Sequence, residues 1–227
     1  MARASELLAT RWTLIIVRNL LLGCRTFGEI ADGAPGIPRT LLSERLRLLE
    51  QYGIVEREPN PRGRGSLYTL TPAGQDLHEV CLVMGYWGQR WLEVAIEHLD
   101  PYVLLWGICR EIDRALLPDR RITVRFEFRD APRGERRFWI VMQRPEPEVC
   151  VKPPGFDEDL VVTTTAEWLL RWHLGEATLG QGMHDRRVDI TGPSSIVAIM
   201  ARWGGQSSFA APNRAASAST AAGARGA

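Results

Sequence analysis

The sequence has 227 residues, of which 45% are hydrophobic, and this length can form one large domain or two modest ones. Its formal net charge is only +1, so the overall charge identifies no class of partner. Four widely spaced cysteines without a C-x-x-C pair exclude a zinc-ligand pattern and a disulfide framework, and no signal segment or membrane-spanning apolar run is recognisable. We therefore expect a cytoplasmic protein with reduced thiols and no membrane partner.

The first part of the chain has a helical pattern. Two helices are predicted within residues 4–22, because apolar side chains recur there at helical spacing. Thr26 and Glu29 have the spacing of a capping box, so a third helix should begin at Thr26. A fourth helix is predicted from Pro38 to about Tyr52, since proline is favoured in the first turn of a helix.

A hairpin and a long helix follow. Two short strands are predicted at 54–58 and 66–70, separated by a loop rich in glycine and proline. Thr71-Pro72 then caps and opens a helix over roughly residues 73–98. Helices followed by a hairpin with a basic tip are the plan of a winged helix-turn-helix domain, which we assign to residues 1–98.

The helix that starts at Pro38 has two chemically different faces. Its leucines lie on one side and are expected to pack on the preceding helices. The other side offers the donors and acceptors that read base edges in a major groove: Pro38, Arg39, Thr40, Ser43, Glu44 and Arg47. At the hairpin tip, Arg62 and Arg64 suit contacts with phosphate or the minor groove. The alternative is a solvated helix face and a solvated loop, but the ordered set of elements favours double-stranded DNA as the partner.

Five motifs between residues 8 and 90 carry a family resemblance: Arg11–Ile16, Leu22–Ile30, Pro35–Ile37 with Leu41–Leu46, Tyr68–Gly74, and Gly85–Gly88. As a set they resemble the HxlR family of bacterial regulators. The resemblance implies a homodimer that binds pseudo-palindromic DNA, with the first short helix and the long helix at the dimer interface. The candidate interface residues are Leu7, Leu8, Leu77, Val80, Met84, Trp87 and Trp91. The long helix independently carries more apolar surface than one small domain can cover, although packing on a second domain is the alternative.

One cysteine offers a different mechanism. Several HxlR proteins sense oxidants through a cysteine ahead of the Arg-Trp motif, and residues 1–10 of this sequence contain none. Cys24 lies elsewhere, with Arg25 as its one adjacent cation in sequence. A thiol-based redox regulator acting through Cys24 is therefore kept as an alternative.

The second part of the chain mixes helices with strands. The predicted elements are a helix at 101–117, strands at 122–129, 138–142, 149–151 and 160–164, a helix opened by a capping box at 164–167 and ending near 174, a strand at 188–190 and a helix at 193–203. They predict an α+β domain over residues 99–204 with a mostly antiparallel sheet. Residues 205–227 are nearly all Ala, Gly, Ser and Arg, and we expect a disordered tail.

This order of elements, with an Asp-Glu-Asp-Leu segment before the fourth strand, resembles the sterol-carrier-protein lipid-binding fold. The resemblance implies an apolar cavity for a hydrophobic small molecule. Five tryptophans could line it: Trp106, Trp139, Trp168, Trp172 and Trp203. The alternative is that these aromatic side chains form a solid core.

No catalytic or metal-binding pattern stands out. The four histidines lack metal-ligand spacing with one another, and no nucleophile occurs in a recognisable frame. We therefore expect no enzyme, no metal and no cofactor. The sequence predicts an α+β protein that regulates transcription by binding DNA, the alternative being a lipid or acyl-chain binding protein whose winged helix serves only dimerisation.

Overall fold

The computed structural model describes residues 1–61, 63–92, 99–132, 136–200 and 205–207. The chain divides into two compact units, Met1–Gly85 and Tyr86–Ala227. The boundary between the units lies inside the helix Leu77–Trp91. The predicted boundary lies after residue 98 and keeps the whole helix in the first domain. None of the described helices has the length and apolar character that crossing a membrane requires.

The first unit has the predicted order of helices and hairpin. Its elements are α1 (Ala2–Leu8), α2 (Thr13–Leu21), α3 (Phe27–Asp32), α4 (Arg39–Gln51), β1 (Val55–Pro59), β2 (Ser66–Leu70), α5 (Pro72–Gln75) and α6 (Leu77–Trp91). The capping box at the start of α3 is present as predicted: the Thr26 hydroxyl accepts the Glu29 N–H, and the Glu29 carboxylate accepts the Thr26 N–H. The two strands pair antiparallel from Val55 opposite Leu70 to Pro59 opposite Ser66, which places the wing loop between them.

The long helix predicted at 73–98 is instead two helices that meet at Asp76, and residues 93–98 lie outside the described residues. The Thr71 hydroxyl accepts the Gly74 N–H and donates to the carbonyl of Gly53, which ties the short helix α5 to the end of α4. Helix α5 is therefore held to the residues that connect α4 with β1.

A buried polar network joins α2 to α3. The Asn19 side chain is fully buried, and its amide donates to the Ile30 carbonyl at 2.9 Å. The Arg18 guanidinium donates both to the Asn19 amide oxygen and to the Gly33 carbonyl, each at 2.8 Å. These bonds fix the C-terminal end of α3, and so the start of the turn that leads into α4.

The second unit is an α+β unit with one mixed sheet. Its elements are α7 (Pro101–Glu111), a 3-10 turn (Arg114–Leu116), β3 (Ile122–Phe128), β4 (Arg137–Met142), β5 (Glu148–Cys150), β6 (Leu160–Thr164), α8 (Ala166–His173), α9 (Leu179–His184), β7 (Asp189–Thr191) and α10 (Ser194–Met200). The strands lie in the order β5-β4-β3-β6-β7, and all pairs are antiparallel except β3 with β6. The predicted fold class, α+β with a mostly antiparallel sheet, is confirmed.

Three local predictions in this unit need correction. Helix α7 ends at Glu111, because Ile112 has an extended backbone and Asp113 caps the separate 3-10 turn. Helix α8 is capped by Thr165 rather than Thr164, whose hydroxyl donates to the Arg187 carbonyl from the end of β6. Helix α9 was not predicted, although a capping box of Thr178 and Gln181 opens it.

The helices pack on one face of the sheet. Alternate residues of the central strands, including Val124, Phe126, Ile140 and Val162, join side chains of α7, α8 and α10 in one buried cluster. We call the opposite side the open face, a name for its position and not for its exposure, since Thr123, Trp139 and Val141 on it are buried. The open face carries the other alternate residues of β3 and β4, among them Thr123, Arg125, Glu127, Trp139 and Val141.

The segment after α10 is anchored to α8 through His173. The buried His173 imidazole is hydrogen-bonded through Nδ1 to the Gly205 carbonyl at 2.6 Å, and its own carbonyl accepts the Ser207 N–H at 2.8 Å. The described residues therefore include 205–207, the first three residues of the predicted tail. Residues 208–227 lie outside the described residues. Burial lowers the pKa of His173 below its ordinary value of 6.5, and the hydrogen bond with Gly205 opposes this only in part.

We expect the second unit to lose stability in mild acid through His173. At pH values well above 6.5 the imidazole is neutral in both the folded and the unfolded chain. As the pH falls through 6.5, the unfolded chain takes up a proton that the folded chain excludes, so the free energy of unfolding falls by at most about 1.4 kcal/mol per pH unit. Denaturant unfolding monitored by tryptophan fluorescence at several pH values measures this decline.

His173→Gln should remove this part of the pH dependence, whereas the same change at the exposed His184 should retain it. Identical pH profiles for the wild type and the His173→Gln variant would contradict the assignment.

Candidate nucleic-acid interface

Helix α4 separates its polar and apolar residues as the sequence predicts. Leu42, Leu46 and Leu49 are buried in the first unit. The predicted DNA-reading residues lie on the other side: Pro38, Arg39, Thr40, Glu44 and Arg47 are exposed, and Ser43 is half-buried. The structure thus brings the six predicted residues together on one accessible face of one helix.

The start of α4 is held by contacts with its neighbours. The Arg39 guanidinium lies 5.3 Å from the centre of the Phe27 ring at the start of α3, a cation–π arrangement. The Arg39 side chain is exposed, so its guanidinium N–H groups are accessible beside the Phe27 ring.

The wing, which follows α4 in the sequence, presents exposed cations. Arg64 is exposed in the loop between β1 and β2, and Gly65 next to it has a left-handed backbone (φ 98°) that turns the chain into β2. Arg57 on β1 donates to the Ser66 hydroxyl across the hairpin at 2.9 Å. Arg62, the other predicted wing residue, lies outside the described residues.

Helix α6 has an exposed apolar stripe. Val80, Met84, Trp87 and Trp91 recur at intervals of three or four residues and are all exposed, as is the adjacent Val83, which the sequence analysis did not single out. Of the other predicted interface residues, Leu7 is buried within the unit, while Leu8 and Leu77 are half-buried. A stripe of this size on one helix is typical of a surface that another molecule covers.

A groove of about 430 Å³ adjoins the stripe. Its wall includes Leu8, Trp12, Ile15, Val80 and Met84, from α1, α2 and α6. Trp12 precedes α2 with a left-handed backbone (φ 78°), a conformation that costs a non-glycine residue free energy. The sequence signal for Trp12 was its place in the Arg-Trp motif, but nothing in the sequence indicated the groove.

Among the residues that the structure describes, the predicted ligand-binding tryptophans do not come together in one cavity. Trp168 and Trp172 pack with the core on the helical side of the sheet, whereas Trp139 lies on the open face, where its indole N–H donates to Glu158. Trp106 is buried on α7 with the Arg110 guanidinium 5.5 Å from its ring centre. Trp203 lies outside the described residues.

The cysteines are all free thiols, and Cys24 is only 1% exposed. Burial raises the pKa of the Cys81 thiol, an effect that Arg18 opposes, and burial also raises the pKa of Cys150. Within the described ranges, no three His, Cys, Asp or Glu side chains are grouped closely enough to hold a metal ion.

Several known proteins similar to the N-terminal part of this chain are transcriptional regulators. A family model described as HxlR-like helix-turn-helix matches residues 7–96. Rv3095 of Mycobacterium tuberculosis, an uncharacterized HTH-type transcriptional regulator, is 42% identical over an alignment of 123 residues that covers 48% of this chain and 77% of Rv3095. YodB of Bacillus subtilis, an HTH-type transcriptional regulator, is 38% identical over 94 residues, covering 41% of this chain and 84% of YodB. The solved structure of reduced YodB is 38% identical, covers 41% of this chain and 92% of that one, and has a TM-score of 0.37.

Proposed function

This chain belongs to the HxlR-like helix-turn-helix family of transcriptional regulators, and from that premise we propose that it is a homodimer that binds a pseudo-palindromic operator and responds to a hydrophobic small molecule. The proposal assigns DNA binding and dimerisation to residues 1–98 and effector binding to residues 99–204. A protein built in this way acts by binding and has no catalytic role.

The accessible polar face of α4 is the observation that carries the proposal. A single exposed helix face that combines Arg39, Arg47, hydroxyls and a carboxylate matches the donors and acceptors that base edges present in the major groove. Arg39 is the strongest candidate for a bidentate base contact because it is exposed at the start of α4 and its guanidinium lies beside the Phe27 ring. Arg64, and Arg62 with it, would contact the phosphate backbone from the wing.

The apolar stripe on α6 supports the homodimer. Two copies related by a twofold axis would bury the same stripe on each other, because a twofold interface uses one self-complementary patch. The pairing would also set two α4 helices at a fixed spacing, which is how a dimer selects two half-sites.

A DNA titration tests the proposal as a whole. The purified chain is titrated onto DNA from the region upstream of its own gene at two salt concentrations, with competitor DNA present. Tight binding that survives the competitor would support a sequence-reading regulator. The lipid-carrier alternative would be favoured by two results together. DNA binding would be weak and abolished by salt for every upstream fragment, and lipid binding would be tight.

Two arginine variants should separate base reading from phosphate contact. We expect Arg39→Ala to weaken operator binding by about 1–3 kcal/mol and to relax discrimination between operator and mutated operator. Arg64→Ala should weaken binding to all sequences alike and lower the slope of log affinity against log salt by about one.

Fluorescence anisotropy with operator and scrambled DNA measures both effects. Arg171→Ala on α8 is the matched control, since it removes an exposed arginine from the other unit. Unchanged operator binding by Arg39→Ala would show that α4 is not the reading helix.

The effector part of the proposal rests on the second unit. Its observed order of helix, three strands, a fourth strand, helices, a strand and a terminal helix supports the resemblance to a sterol-carrier-like fold. Since Trp139 lies on the other face of the sheet, the aromatic wall of such a site is assigned to Trp168 and Trp172. Titration with a fatty acid and its acyl-CoA, followed by tryptophan fluorescence and by release of DNA, tests this part; no response to either ligand would remove it.

The redox alternative at Cys24 has the least support, because oxidants react with accessible thiolates and the Cys24 side chain is buried. A Cys24→Ser variant whose DNA binding still responded to an oxidant would eliminate it.

A further inference from the structure

The open face of the second unit has a polar pocket that no part of the proposed function uses. The pocket has a volume of about 570 Å³ and lies where β3 begins, beneath the loop that leads into β6. Its wall includes Arg120, Arg121, Thr123, Phe156, Asp157 and Asp159.

Thr123 gives this pocket a hydroxyl that no described residue engages. Its side chain is 1% exposed, and its backbone N–H and carbonyl are both engaged with Asp159, each at 2.8 Å. Its hydroxyl makes no hydrogen bond to any residue that the structure describes. Buried hydroxyls in proteins are nearly always hydrogen-bonded, so this hydroxyl is available to a ligand that enters from the pocket.

The charges on the wall are only partly paired. Arg120 donates to Asp159 at 2.9 Å, and these two charges compensate each other. The Arg121 guanidinium lies flat against Phe156, with its central carbon 3.3 Å from the ring centre, which fixes the group and leaves its N–H edge accessible. Over the described parts of the chain, Arg121 has no carboxylate partner and Asp157 has no cationic partner.

We propose that this pocket binds a small zwitterion of the amino-acid class. The ligand carboxylate pairs with the Arg121 guanidinium and accepts the Thr123 hydroxyl, and the ligand ammonium pairs with Asp157. A simple anion would pair with Arg121 but would be repelled by Asp157. A simple amine would pair with Asp157 but would be repelled by Arg121. The site is separate from the hydrophobic effector site proposed on the helical side of the sheet, and it does not depend on the DNA-binding proposal.

Calorimetric titration of the full chain tests the ligand class. The probes are the common L-amino acids, followed by the amine and the N-acetyl derivative of the tightest binder. At least one amino acid should bind, and both derivatives should bind about tenfold or more weakly, because each lacks one of the two charges. Failure of every amino acid to bind, or equal binding of a derivative, would overturn the proposal.

Two variants test the residues. Thr123→Val removes the hydroxyl and keeps the shape of the side chain, and Arg121→Gln removes the charge; each should weaken binding of the amino acid about tenfold. Thr163→Val is the matched control, because Thr163 lies on the same open face on β6 and outside the pocket wall, and it should bind normally.

Thermal unfolding distinguishes a loss of amino-acid binding from a loss of folding. Because the Thr123 hydroxyl bonds no described residue, Thr123→Val should unfold at the same temperature as the wild type or higher. A clear loss of thermal stability in Thr123→Val would show that the hydroxyl serves the fold and would overturn the proposal, as would unchanged amino-acid affinity in both variants.

Discussion

Trp87→Asp should convert the protein to a monomer and abolish tight operator binding. Trp87 is 57% exposed at the middle of the apolar stripe on α6, where the proposed partner would cover it. Burying an unpaired carboxylate in such an interface costs roughly 3–5 kcal/mol, which corresponds to an increase of about a hundredfold or more in the dimer dissociation constant. Sedimentation velocity gives the mass of the particle, and DNA titration gives the loss of affinity.

A pair of valines provides the matched control. Val83 on the stripe is 63% exposed and Val151 in the second unit is 59% exposed, so Val83→Asp and Val151→Asp add the same charge at equally accessible sites. Only Val83→Asp should dissociate the dimer. A dimer that survives both Trp87→Asp and Val83→Asp would place the interface elsewhere.

Gly74→Ala should destabilise the first unit by about 3 kcal/mol, at the upper end of what overpacking usually costs. Gly74 lies in α5, and a Cβ atom there would come within 2.3 Å of the Ile54 carbonyl oxygen and 2.8 Å of Leu70 Cδ2. The oxygen cannot move away easily, because it accepts the N–H of Thr71. Hydrogen exchange of the amides in β1 and β2 reports the loss.

Gly28→Ala is the opposite case. Gly28 is also a helical glycine, in α3, but a Cβ atom there would meet nothing within 4 Å. Replacing an unhindered helical glycine by alanine stabilises a helix by roughly 0.5–1 kcal/mol, so the two variants should change stability in opposite directions. Equal effects would show that the close approach at Gly74 does not control stability.

The first unit was predictable because its signals are local. Thr26 with Glu29, and Thr71 with Pro72, mark helix starts within three or four residues, and the leucines of α4 repeat at the helical period. The face of α4 that could contact DNA follows from the same period. The burial of Leu7 could not be predicted, because it depends on how α1 packs within the first unit and not on a periodic pattern.

The second unit was harder because distant pairings decide its details. Thr164 and Thr165 both suit a helix cap, and pairing of Thr164 with Phe128 keeps the former in β6. The face on which Trp139 lies depends on its pairing with Arg125. Aromatic composition suggested one cavity, but strand register places Trp139 on the face of the sheet opposite the helix that carries Trp168 and Trp172.

The parallel ladder between β3 and β6 has a consequence for the order of folding. Val124 pairs with Leu160, so β4 and β5 must be synthesised before the centre of the sheet can close, and this loop carries an entropy cost that a tight hairpin avoids. The wing strands, by contrast, are joined by a short loop near the N-terminus. During synthesis the winged-helix unit can therefore pair its strands before β6 is available to complete the centre of the later sheet.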